Sequence, residues 1–356
     1  MVTSRSKYIF AGAGHYSPHG GERYRGGLFR RSPGEGEWQA LTSGLPENVE
    51  ARAFAIDPRD PNVIHVGTQD GPYRTLDGGE RWARTAYPEG GGVIWSLAHD
   101  PSDPKVMYAG SAPVGVYRSD DGGEHWHRLP NAKSPGHCEM GFPARTIRIA
   151  VDPSRSSDVY AALEVSGVIR SSDGGETWTD LSQPLIRLAD QPHLKSRIGS
   201  DTEAEGMLDS HAIVVSAAAP GAPVLAVRMG LFRGEDRGAA WSDMQVGRHS
   251  PLTYCRDVLV SPHDPRTLFA CLSPAARSTD GMLYRSSDLG GSWQRIDRGV
   301  KAEATMMSVA QATADPNRVY CVSRCGQVFG TEDGAASWRE YRLPEGVKDV
   351  YAVACI

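Results

Sequence analysis

The chain has 356 residues, 38 basic and 43 acidic side chains, a formal charge of −5 and an isoelectric point near 6.1. That balance gives no electrostatic case for a nucleic-acid partner. No apolar run is long enough to span a bilayer, so no membrane partner is expected.

Short runs rich in Val, Ile, Tyr and Phe alternate with Pro, Gly and Asp turns, the pattern of an all-β chain. The first strand is expected at Lys7-Tyr8-Ile9-Phe10-Ala11. No apolar leader precedes it, so the expected location is cytoplasmic. A loop carrying His15, Tyr16 and His19 follows, then a turn at Ser32-Pro33-Gly34-Glu35-Gly36-Glu37-Trp38. The next strands are expected at Arg52-Ala53-Phe54-Ala55-Ile56, at Val63-Ile64-His65-Val66-Gly67 and at Pro72-Tyr73-Arg74. Asp57-Pro58, Asp100-Pro101 and Asp264-Pro265 mark matching tight turns, because proline presets φ and cannot continue a central strand.

From residue 75 onward one turn recurs: Thr75-Leu76-Asp77-Gly78-Gly79-Glu80-Arg81-Trp82. Further copies lie at 119–126, 171–178, 234–241, 286–293 and 331–338, around Asp121, Asp173, Asp236, Asp288 and Asp333. The pattern is S/T-x-D-x-G-x-x-W, and the turn at 32–38 is a degenerate seventh copy that keeps Trp38 and lacks the Asp. The carboxylate accepts N–H groups of its own turn, glycine permits φ > 0, and the Trp ring packs beneath. The period is that of a four-stranded propeller blade.

The expected fold is therefore a single seven-bladed β-propeller. Its blades are expected at 7–45 with 350–356, 49–88, 92–130, 143–182, 211–245, 254–297 and 305–343. The last strand, Val350-Tyr351-Ala352-Val353-Ala354-Cys355-Ile356, is expected to pair in the first blade and close the ring, removing its open edges. Beside the blade-one loop at 14–26, two further long insertions stand out. Residues 131–142 hold His137-Cys138-Glu139, and residues 183–210 hold His193, Lys195, Asp201, Glu203 and Glu205. A short helix is expected at 184–190, with the whole insertion acting as a lid over the channel. The six cysteines form no C-x-x-C pair, so reduced and mostly buried thiols are expected.

Residues 100–126 combine Asp-Pro-x-x-Pro, Met-Tyr-Ala-Gly and Gly-Val-Tyr-Arg-Ser-x-Asp-Gly-Gly-Glu-x-Trp. This string resembles the Asp-box, or bacterial neuraminidase repeat, propellers, with blades most similar to xyloglucanase, sortilin-type and sialidase repeats. The chain departs from them in three ways. It has no Arg-Ile-Pro segment of the sialidase kind, it has seven blades where sialidases have six, and it has length for one propeller where xyloglucanases have two. The resemblance implies ligands on the face opposite the aspartate turns, over the central channel.

Residues just before the first strands and just after the second strands are then the ones to read. Arg52, Trp95 and Arg256 take equivalent positions on three first strands, with Arg145 near that level in blade four. Together with Arg148, Arg228 and Arg324 they make a substrate-binding set suited to a carboxylate or phosphate. They serve equally to hold the ring together through Glu50, Asp257 and Glu303. His211, Glu50, Asp257, Glu303 and Tyr254 are the candidate acids and bases. His15, His137 and His211 are candidate ligands of a divalent metal, without any local H-x-H spacing to support them. Two functions remain open. One is an enzyme acting on a small anionic or carbohydrate-like ligand, a hydrolase such as a glycosidase or a lyase, with or without metal. The other is a non-catalytic propeller that docks a protein or peptide.

Overall fold

In the computed structural model, residues 8–14, 26–34, 36–88 and 90–356 are described. They form seven four-stranded antiparallel sheets. The innermost strands, in ring order from the second blade, are Ala53–Ile56, Val93–His99, Arg145–Asp152, Ser210–Val214, Tyr254–Val260, Met306–Gln311 and Val350–Cys355. The last pairs with Ile9–Ala13, so the chain's final strand is the inner strand of the blade its first strand opens. The molecule is a closed seven-bladed propeller.

An isolated blade has two apolar faces and must bury both. Seven apolar clusters do this, one at each junction of neighbouring blades among the described residues. Between blades two and three, for example, Ala53 and Ala55 meet Ile94, Leu97, Met107 and Trp126. Small residues on one strand admit large ones from the next, which is how successive blades nest.

Five aspartate turns share one set of bonds. At the blade-three turn the Ser119 hydroxyl donates to Asp121 Oδ1 (2.8 Å), and the same Oγ accepts Gly123 N–H (2.9 Å). Asp121 Oδ1 also accepts the N–H of His125 at 3.0 Å. The turns at Asp77, Asp173, Asp288 and Asp333 repeat this. The blade-five copy differs. Gly234 brings no hydroxyl, residues Asp236–Gly238 form a 3-10 turn, and Asp236 and Arg237 sit at positive φ. The degenerate copy at 32–38 contains Glu35, which lies outside the described residues.

The 183–210 insertion holds an α-helix at Gln183–Leu188, a 3-10 turn at Pro192–Leu194 and a helical turn at Glu205–Leu208. Leu185, Leu194, Met207 and Leu208 are buried against Ile213, Leu225 and Phe232 at the junction of blades four and five. Glu205 is buried, and its Oε2 accepts the N–H groups of Ile198, Gly199 and Ser200, each at 2.9 Å. None of these residues lines the central channel. The apolar face of the insertion packs into this junction, where it has a core to enter. No helix is long and apolar enough to cross a membrane.

Candidate functional site

The inner strands share an irregularity. In six of them the pairing register shifts at one residue: Trp95, Ile147, His211, Arg256, Met307 and Tyr351. In blade two Arg52 takes the same place, its N–H bonded to Gly67 O (2.9 Å) beside the Ala53–Gly67 pair. A bulge leaves one residue outside the ladder and re-aims its side chain. All seven residues of this level, Arg52, Trp95, Ile147, His211, Arg256, Met307 and Tyr351, line the upper end of a central cavity of about 530 Å³. Asp257 and Arg148, one residue further along their strands, line it too.

Arginine and aromatic rings stack along one side of this mouth. The Arg52 and Arg145 guanidinium carbons lie on the Trp95 ring, each 4.6 Å from its centroid. Tyr351 meets Trp95 edge-on at 5.3 Å and lies 5.9 Å from the Arg52 guanidinium. Each guanidinium is attracted to the electron-rich ring face.

Most of the arginines are neutralised locally. Arg52 pairs with Glu50. Arg145 pairs with Glu164 (3.0 Å), Arg148 with Asp257 across blade five (2.8 Å), Arg228 with Asp209 (2.7 Å) and Arg324 with Asp349 (2.7 Å). Asp257 also accepts Val309 N–H (3.1 Å), tying three blades together. Arg256 differs: among the described residues it has no ion-pair or hydrogen-bond partner. In Arg52, Nε and Nη1 are buried without a partner among the described residues. Arg52 and Arg256 both act on the Tyr351 hydroxyl, although burial dominates and pushes its pKa up.

On the other side stands a buried polar cluster. His211 Nδ1 is 2.7 Å from Cys255 O, so this nitrogen carries the proton and donates to the carbonyl. Nε2 is then the basic atom, 3.3 Å from the Tyr254 hydroxyl and 3.4 Å from Asp209 Oδ2. Burial works to raise the Asp209 carboxyl, but His211 in its protonated form, Arg228 and Arg256 outweigh it and hold the pKa at about 2. Burial pushes Tyr254 up to about 12. Asp209 is thus a fixed anion facing the imidazole, and Tyr254 is a proton donor at neutral pH.

Several expected residues fall elsewhere. Glu303 is an exposed partner of Arg342 at 2.9 Å, outside the cavity lining, because the bend before its strand turns outward. Arg145, Arg228 and Arg324 stand behind the lining, each held by its carboxylate. The blade-four equivalent of Arg52 is Ile147, since the bulge falls two residues beyond Arg145. His137 Nε2 is bonded to Asp180 Oδ2 (2.6 Å), and His15 lies outside the described residues. Neither His137 nor His211 belongs to a set of three potential metal ligands among the described residues. The trio that does occur, Asp121, Glu124 and His125, is fully exposed in an aspartate turn. Asp209 and Tyr351, which the sequence places at the starts of first strands, join the catalytic and binding candidates in this site.

No protein-family model matches the chain, and no curated protein matches it. Solved structures do. A GH74 xyloglucanase from Xanthomonas campestris superposes with a TM-score of 0.62 and 17% identity, covering 85% of this chain and 46% of that one. YCF48 from Cyanidioschyzon merolae gives 0.55 and 16%, covering 86% and 88%. A structure of YCF48 bound to D1 peptide gives 0.53 and 15%, covering 83% of each. The chain spans less than half of that xyloglucanase. At these identities the likeness is one of fold.

Proposed function

We propose that the chain is a propeller of the Asp-box kind whose channel mouth binds a small anionic molecule and transfers a proton through His211. The observation that supports this reading most is Arg256. It is a mouth arginine that makes no direct ion pair or hydrogen bond among the described residues, its charge acting on Asp209 only at longer range, beside the two unmet donors of Arg52. An anion there meets cationic donors already fixed in place, so little ordering cost opposes binding. Trp95 and Tyr351 offer flat faces to the rest of the ligand.

Lyase-type chemistry suits the site better than glycoside hydrolysis. A two-carboxylate hydrolase needs one acid that holds a proton near neutral pH. Here Glu50, Glu164, Asp209, Asp257 and Asp349 each face an arginine. His211 has the opposite arrangement. A proton taken by Nε2 makes an imidazolium facing the ionised Asp209, while Nδ1 stays on Cys255 O. The mouth then holds a base, a stabilising anion and a cation for the substrate.

The test is solvent-deuterium exchange at the carbon next to the carboxylate, followed by NMR over a panel of small carboxylic acids. Wild-type protein is expected to exchange at least one of them, with His211→Gln losing the exchange and keeping the binding. Equal exchange by wild type and His211→Gln rules out the proton-transfer role. A second reading rests on the rim, where Phe142 and Ile198 are exposed large apolar residues near the mouth. That is the surface expected of a peptide-binding propeller.

A further inference from the structure

At the bulge level His211 stands in blade five and Tyr351 in blade one. Going round the ring, Arg256 and Met307 lie between them one way, and Arg52, Trp95 and Ile147 the other. The two side chains therefore belong to opposite walls of the mouth. Arg256 links the walls: its charge acts on Asp209 and Tyr254 beside His211, and on Tyr351 across from it. A carboxylate held on Arg256 has the imidazole on one side and the Tyr351 phenol on the other.

The Tyr351 hydroxyl is uncommitted. Its ring is fixed edge-on against Trp95 at 5.3 Å, yet the hydroxyl has no hydrogen-bond partner among the described residues. Burial first, then Asp349, push its pKa up, so it holds its proton at neutral pH. Arg324, Arg52 and Arg256 act in the opposite sense. These three cations would stabilise the phenolate left when the proton is given up. Tyr254 is placed otherwise. Its hydroxyl is 3.3 Å from His211 Nε2, it does not line the cavity, and its phenolate would face Asp209. Of the two tyrosines, Tyr351 is the one placed to protonate the far side of a ligand.

We infer that Tyr351 is the catalytic acid that completes the reaction His211 begins, and that the substrate is a carboxylate with an oxygen substituent on its β-carbon. This rests on the proton-transfer reading of the mouth and narrows it. His211 Nε2 takes the proton from the α-carbon, and that electron pair becomes the α,β double bond. The bond from the β-carbon to oxygen breaks with its pair going to oxygen, and the Tyr351 hydroxyl protonates that oxygen. The products are an α,β-unsaturated carboxylate and an alcohol, and the imidazolium proton returns to the phenolate through solvent. With base and acid on opposite walls, the elimination is anti.

The experiment uses the full chain with β-methoxybutanoate and β-(para-nitrophenoxy)butanoate. Methoxide needs a proton to leave, and para-nitrophenolate does not. Wild type should convert both to butenoate, followed by ultraviolet absorbance. Tyr351→Phe keeps the ring on Trp95, and should lose about 100-fold or more on the methoxy acid while changing little on the nitrophenoxy acid. His211→Gln should lose both. Wild type should also remove an α-deuterium anti to the methoxy group, a readout that needs no variant. Equal loss on both acids in Tyr351→Phe, no loss on either, or a syn course overturns the Tyr351 role and leaves His211 standing. Exchange of the α-deuterium without elimination of either acid does the same. Neither exchange nor elimination overturns both readings.

Discussion

At the scale of single residues the molecule separates charges that hold the ring from charges free to act. Arg148 and Asp257 bridge blades four and six, and Asp257 reaches the backbone of blade seven. Removing one partner of such a pair would leave the other buried and unpaired, a cost of about 3–5 kcal/mol for fully buried pairs and less here because Arg148 is partly exposed. Buried histidine makes a second testable case. His65 is fully buried, its Nε2 3.0 Å from Gly122 O. Burial first, then His99 and Arg74, pull its pKa down to about 3 from the ordinary 6.5. Above pH 6.5 both states are neutral and nothing is lost. As pH falls below that, the unfolded chain takes a proton that the folded one refuses until about pH 3, so stability declines across this window. The turn aspartates, whose pKa values are lowered, withdraw their contribution only nearer pH 4 and below. Urea unfolding between pH 7 and 5 should show a slope on the order of 1 kcal/mol per pH unit in its steepest part. His65→Gln should flatten that slope, and an unchanged profile would exclude His65 as its source.

At the scale of the element, the aspartate turn acts through its first residue as much as through its carboxylate. Ser119 is buried, and its hydroxyl serves both Asp121 and the Gly123 N–H. Ser119→Ala leaves that N–H without its acceptor and should cost about 1–3 kcal/mol. The urea midpoint should fall with an unchanged denaturant slope. No shift in midpoint would mean that the turn is held by its glycines alone. Blade five shows how the element survives without the hydroxyl: it tightens into a 3-10 turn and accepts positive φ at Asp236 and Arg237. The inner strands carry the other element-level device. Their bulges turn one residue per blade out of the ladder, and in this chain four of those places, Arg52, His211, Arg256 and Tyr351, hold polar groups of the cavity.

At the scale of the whole molecule, closure is the governing contact. Val350–Cys355 pairs with Ile9–Ala13 along five positions, and its side chains enter the junctions on both sides. Deleting residues 350–356 should expose the fully buried strand Ile9–Ala13 as a sheet edge. Size-exclusion chromatography is expected to show aggregates in place of the compact species, and a monodisperse compact product would show that closure is dispensable. The same deletion removes Tyr351 from the mouth, so the ring's lock and its candidate site share a strand.

The blade count and the ring closure were legible in the chain because they rest on local signals: a turn that needs Asp, Gly and Trp at set offsets, and strands that alternate over two residues. The aspartate turns bond within themselves, so Asp77 and Asp288 act wherever the strand is placed. The mouth was legible only as a level. Arg52, Trp95 and Arg256 share a position counted from the turns, and Arg145 does not, because the residue five before Asp152-Pro153 is Ile147. Tertiary structure alone decided which arginine is left without a direct ion pair among the described residues. Arg148 finds Asp257 109 positions along the chain, and Arg228 finds Asp209 through the fold of blade five. It also decided that the 183–210 insertion packs into a junction, since an apolar helix goes where apolar surface is uncovered. Short-range bonding is written in the sequence; the pairing of charges across a ring depends on the distances that closing the ring creates.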